Sequence, residues 1–175
     1  LRMGDFIDGR DTGNWFETHM PNKLDKGKMI YPGPINTQHA WAWLPDAARC
    51  AVDLLEQVDR FSPWEEFCFE GWCMTGEEMH AYLEQAAGRK IRVGAMPWWA
   101  MKLMSFFNPV IREVLEMRYL WQQAHRLDGS KLHSVLPDFE TSDPVQIFSQ
   151  LFGKQVGSNA VKVSATTQSV QNAHS

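Results

Sequence analysis

Bulky and small side chains alternate over His39-Ala40-Trp41-Ala42-Trp43. That period of two predicts a strand with His39, Trp41 and Trp43 on one face and two alanines on the other. The alanine face leaves room for a neighbouring element to approach closely. Shorter apolar runs predict strands over 1–7, 29–31, 67–69 and 91–93, the second stopped by Pro32-Gly33-Pro34. Between them the spacing turns helical. Ala48, Ala51, Val52, Leu55 and Val58 predict a helix capped by Asp46, with those residues as its buried stripe.

Thr75-Gly76-Glu77-Glu78 has the form of a capping box, and Gly88 is placed to end the helix that follows. Pro97 and Pro109 open two further helices, since proline is favoured in a first turn. In the second, Val110, Val114, Met117 and Trp121 share a face. Asp128 predicts the start of a short helix, and Asp143-Pro144 the start of a last one ending at Phe152. Asn14 predicts a brief helix from Trp15. Beyond residue 152 the chain is polar, with no aromatic and no carboxylate, and is expected to be a disordered tail over 153–175.

Strands and helices thus alternate and then give way to helices, which predicts a mixed α/β fold. The strands are few and short, as in a piece of a larger sheet. The chain opens at Leu1 inside an apolar strand without an initiator methionine, and the expectation is of an excised domain or a missing upstream part.

Composition narrows the functions. The 175 residues suit one domain, and 44% apolar with 22% charged residues is ordinary globular usage. A net charge of -4 argues against a nucleic-acid partner, which calls for a basic stripe. The longest uncharged apolar run, 93–101, is shorter than the roughly 20 residues a membrane span takes. Three cysteines without C-x-x-C spacing predict a reduced, cytoplasmic protein.

No G-x-G-x-x-G, no G-x-x-x-x-G-K-[ST] and no G-x-S-x-G is present, and the six histidines lack metal-ligand spacing. No self-contained catalytic site is therefore expected, and no metal. The stretch from Asp5 to Asp11 leaves a strand end, where ligands sit in open α/β sheets, yet it also reads as a solvated turn. The His39, Trp41, Trp43 face reads as a pocket wall or as plain core. Segment 97–107, rich in Trp, Met and Phe, reads as a core helix, a lid over an apolar ligand, or an interfacial membrane segment.

Arg2-x-Gly4-Asp5-Phe6-Ile7-Asp8-Gly9, Tyr31-Pro32-Gly33-Pro34 and the run from His39 to Arg49 resemble the second half of NAD(P)-dependent epimerase/dehydratase-type proteins. These are extended or atypical members of the short-chain dehydrogenase/reductase superfamily. Phe67 to Gly71, the Thr75 helix, Gly88-Arg89 and Leu127 to Leu132 continue the resemblance across residues 1–152. It implies the C-terminal portion of a Rossmann-type parallel sheet plus a small, helix-rich substrate-binding subdomain. A small-molecule substrate would meet Asp5, Phe6, Ile7, Asp8, His39, Trp41 and Trp43. NAD or NADP would be held by a Rossmann half outside this chain, as would the family's Tyr-x-x-x-Lys pair. Tyr31, Tyr82 and Tyr119 are followed four positions later by Ile35, Ala86 and Gln123. The chain is thus expected to shape a substrate pocket without catalytic residues of its own. Membrane contact is not expected, and self-association is left open. The rival reading is a non-catalytic module docking through 97–107.

Overall fold

A computed structural model describes residues 1–9, 24 and 26–152. The expected helix at Asn14, the loop beyond Gly9 and the expected tail lie outside the described residues. The strands are β1 (Asp5–Ile7), β2 (Lys28–Tyr31), β3 (Gln38–Trp43), β4 (Trp72–Thr75) and β5 (Arg92–Ala95). The helices are α1 (Leu44–Leu55), α2 (Gly76–Ala87), α3 (Trp98–Met104), α4 (Pro109–Glu116), α5 (Ser130–Val135) and α6 (144–152). Single 3-10 turns occupy Val58–Arg60 and Met117–Trp121.

β3 is the middle strand of a three-stranded sheet, parallel to β1 and antiparallel to β4. Opposite Asp5, Phe6 and Ile7 stand Trp41, Ala42 and Trp43. β2 and β5 form a separate parallel pair. Of the strand expected over 1–7 only Asp5–Ile7 is regular. Arg2 adds an isolated parallel bridge to Cys68, its amide donating to Phe67 O and its carbonyl accepting from Phe69 N.

The alternation along β3 divides the core in two. On the indole side Trp41 packs with Ile7, Tyr31, Trp72, Met74, Met79, Leu83 and Phe148. On the alanine side Ala42 packs with Ala47, Cys50, Leu54, Phe67, Phe69 and Leu132. Each large side chain removed from water this way contributes roughly 1.5–3 kcal/mol. The small alanine lets α1 lie close against the sheet.

α1 departs from expectation in its face and its cap. The buried side chains are Asp46, Ala47, Cys50 and Leu54, while Val52, Leu55 and Val58 are exposed. The helix carries two apolar stripes one position apart, and the sheet takes the one with the smaller side chains. Asp46 is not the cap: Trp43 is, with no side-chain capping bond. The Asp46 carboxylate instead accepts from Ser142 N (2.6 Å), Ser142 Oγ (2.9 Å) and Arg49 Nη2 (3.1 Å), tying α1 to the approach of α6.

α2 follows its local signals. Thr75 Oγ1 accepts from Glu78 N, Glu78 reaches back to Thr75 N, and Gly88 closes the helix at φ 61°. That left-handed conformation costs glycine little and other residues more. α5 starts after Gly129, with Asp128 Oδ1 accepting from Ser130 N at 3.0 Å. Segment 97–107 is not a core helix. No residue of α3 or α4 is buried, and the common face expected for Val110, Val114, Met117 and Trp121 breaks up: Val110 and Met117 are exposed, whereas Trp121 packs on the core.

Candidate functional site

Period-two geometry and the β1–β3 register settle which predicted residues meet. Asp5 and Ile7 project to the same side as His39, Trp41 and Trp43, and Phe6 projects to the opposite side with Ala42. Ile7 and Trp41 are fully buried in the core beneath this face. Trp43 packs at its margin, half-buried, and Asp8 is buried just past the end of β1. Of the predicted set, Asp5 and His39 are joined by a side-chain hydrogen bond.

His39 Nε2 lies 2.8 Å from Asp5 Oδ2. The His39 side chain is 4% exposed, while half of the Asp5 side chain reaches solvent. The Trp121 ring stacks on the imidazole at 4.0 Å between centroids and 6° between planes. His125 meets it edge-on at 4.2 Å, and Trp41 closes a third side at 5.0 Å. Held in this way, the imidazole has its rotamer fixed by packing and its Nε2–H aimed at a carboxylate, the arrangement that defines a tautomer. A half-exposed carboxylate backed by a buried imidazole can accept a hydrogen bond from a polar group and hold it in place.

Tyr31 stands edge-on to Trp121 at 6.0 Å. Burial, reinforced by the negative charge of Asp5, pushes its phenol up from the ordinary 10 to about 12. The side chain therefore stays protonated across the physiological range. Two glycines permit this packing. A Cβ on Gly33 would come within 2.1 Å of Trp121 O, and one on Gly76 within 2.8 Å of the Tyr31 ring. The backbone of His125 also donates to Gln38 O at 3.2 Å, holding this segment beside the start of β3.

Tyr31, Trp121 and His125 are not among the candidate site residues that the sequence offers. Tyr31 did carry a signal, at the end of a short strand before Pro32-Gly33. Trp121 and His125 carried none, because their place is set by the return of the chain after α4.

A dinucleotide phosphate does not fit the starts of α1, α2, α4 and α6. β3 enters α1 through Trp43-Leu44-Pro45, bulky residues and a proline where a phosphate-binding turn needs glycines and free amides. In α2, Glu77 N donates to Ile35 O and Glu78 N to Thr75 Oγ1. In α4 and α6, Val110 N and Val145 N are taken by Asn108 and Asp143.

These elements define a mixed α/β fold with short parallel strands of Rossmann type and a helix-rich flank. The same fold occurs in a GalE-like L-threonine dehydrogenase from Cupriavidus necator, with a TM-score of 0.62 and 13% identity over 89% of this chain and 52% of that one. It occurs likewise in a nucleoside-diphosphate-sugar epimerase from Staphylococcus aureus, with a TM-score of 0.57 and 14% identity over 77% of this chain and 47% of that one. An L-threonine 3-dehydrogenase from Trypanosoma brucei gives a TM-score of 0.57 and 15% identity over 89% of this chain and 44% of that one. The chain spans about half the length of these proteins. No family model and no curated protein matches it.

Proposed function

We propose that this chain is the substrate-binding portion of an NAD(P)-dependent oxidoreductase or epimerase-type protein, with the coenzyme gripped by residues outside it. The observation that carries this reading is the Asp5–His39 pair walled by Tyr31, Trp41, Trp121 and His125, on the fold shared with dehydrogenases and an epimerase. Asp5 offers the half-exposed acceptor, and His39 fixes its orientation. The aromatic walls exclude water from one side of whatever Asp5 holds, so that a reacting carbon is positioned against a nicotinamide supplied by the other half. Asp8 and Trp43 line the neighbouring ends of β1 and β3 in this reading, whereas Phe6, on the alanine side of the sheet, faces away from it. The reduced cysteines suit a cytoplasmic protein.

The test is to read and express the coding sequence upstream of Leu1. It should encode a glycine-rich strand–turn–helix and a Tyr-x-x-x-Lys pair, and the longer protein should bind NADH or NADPH, as followed by nicotinamide fluorescence. In that protein Asp5→Asn should leave the coenzyme Kd unchanged. An upstream segment without those motifs, or a longer protein that binds neither coenzyme, would overturn the reading.

A further inference from the structure

No residue of α3 or α4 is buried, yet the hairpin they form is fastened at both ends to the wall of the Asp5–His39 pair. The leading end leaves β5, whose Ala95 stands opposite Tyr31. Met96 N donates to Tyr31 O at 3.1 Å, and a step further on Trp98 Nε1 donates to Pro32 O at 2.9 Å. The trailing end is the 3-10 turn Met117–Trp121. In that geometry side chains three positions apart lie above one another, so Arg118 and Trp121 leave the turn on one side. The Arg118 guanidinium sits 5.1 Å over the Trp98 ring, and the Trp121 indole stacks on His39 at 4.0 Å.

The two ends close a ring of contacts. Trp98 holds the carbonyl of Pro32, and the next residue, Gly33, lies so near Trp121 O that a Cβ there would come within 2.1 Å. Tyr31, the residue before, meets the Trp121 ring edge-on at 6.0 Å. Tyr31-Pro32-Gly33 is therefore gripped by Trp98 from one end of the hairpin and by Trp121 from the other, and Arg118 links the two. No side chain of the 3-10 turn is fully buried, so the grip of its neighbours helps to set where the indole stands.

We infer, on the reading of Asp5 and His39 as the ligand-holding pair, that Trp98 and Arg118 are positioning residues for it, acting through Trp121. The clasp they form keeps the indole on the imidazole, and the imidazole keeps its Nε2 on Asp5 Oδ2. A shift of the hairpin base thereby loosens the support of the carboxylate that meets the ligand.

The experiment is NMR of the His39 ring in the full chain, with Trp121→Leu as the reference for an imidazole without its indole. A stacked indole shields the imidazole protons, so Trp121→Leu should move their signals downfield. Trp98→Phe deletes the N–H but keeps a ring for Arg118, and Arg118→Ala deletes the cation. Each should carry the His39 signals part of the way to the Trp121→Leu position, and Arg118→Lys should bring them back toward the parent. Phe107→Ser, exposed and beyond the clasp, should leave them where they are. Arg118 is exposed as well, so the denaturation midpoint of Arg118→Ala should hold near that of the parent. Should Trp98→Phe fail to fold, Arg118→Ala carries the test. His39 signals unmoved in a folded clasp variant, or moved as far by Phe107→Ser, would overturn the inference. The readout involves no coenzyme. A longer protein that binds neither NADH nor NADPH would leave the clasp standing, and unmoved His39 signals would leave the coenzyme reading standing.

Discussion

Replacing Asp46 with alanine separates two roles that a carboxylate near a helix start can play. A helix cap contributes about 1 kcal/mol. The structure gives Asp46 a different task, because its buried carboxylate accepts from both the amide and the hydroxyl of Ser142 at 2.6 and 2.9 Å. Hydrogen bonds to a charged group are worth roughly 1.5–3 kcal/mol each. Ser142 O in turn accepts from Trp72 Nε1 at 2.8 Å, so loss of the clamp also loosens the chain against β4. The Arg49 contact adds little, since half of that side chain is in solvent. Asp46→Ala should therefore cost about 3 kcal/mol in urea unfolding followed by tryptophan fluorescence. Ser142→Ala removes only the hydroxyl bond to that carboxylate and should cost about 1.5 kcal/mol. In the double variant the costs should fall short of additive by about 1.5 kcal/mol, because the hydroxyl bond is lost only once. A cost near 1 kcal/mol for Asp46→Ala, with full additivity to Ser142→Ala, would refute the clamp and restore the cap.

Two further perturbations test the site. Tyr31 holds its proton to about pH 12 when folded and to about 10 when unfolded, so the unfolded chain alone ionises between those values and stability falls as pH rises through that window. The slope is about 1.4 kcal/mol per pH unit for one proton, and Tyr31→Phe should remove it. Cys50, pushed by burial from 9 to about 11, adds a similar fall at lower pH, so the comparison is made in a Cys50→Ala background. An unchanged alkaline slope in Tyr31→Phe would refute the assignment. Gly33→Ala drives a methyl into Trp121 O and should lower stability by about 2 kcal/mol, and the indole should leave the imidazole. A shift of the His39 ring resonances in NMR would report that separation, and a spectrum identical to the parent would count against it.

Local signals were legible in the sequence, and those that depend on distant partners were not. The capping box at Thr75 and the stop at Gly88 need only residues within a turn of themselves, so pattern alone places them. The alternation at β3 also stands by itself, because a strand has only two faces. α1 has many. Its sequence carries an apolar stripe through Ala47, Cys50 and Leu54 and another through Ala48, Val52 and Leu55, and periodicity assigns neither to the sheet. What decides is Trp43 acting as the cap, which sets the rotation of the helix, and the alanine face of β3, which favours close packing. Segment 97–107 reads from its sequence as core helix, lid or interfacial segment, and only the first is excluded: the core is filled by Trp41, Trp72 and Phe148, and the hairpin stays outside.

The candidate site shows the same division within a single hydrogen bond. Asp5 and His39 are 34 residues apart, and nothing local to either foretells the other. They meet because Ile7 pairs with Trp43 in a parallel ladder, which carries Asp5 to the side of the sheet that His39 faces. A register slip of one residue would reverse every side chain of β1. Phe6 would then turn to the indole face, Ile7 would leave the core, and His39 would lose its carboxylate. Burial of Ile7 opposes that slip, so the apolar residue two positions away fixes where the acid stands. The chemistry of Asp5 is thus set by Ile7, whose own role is only to be buried.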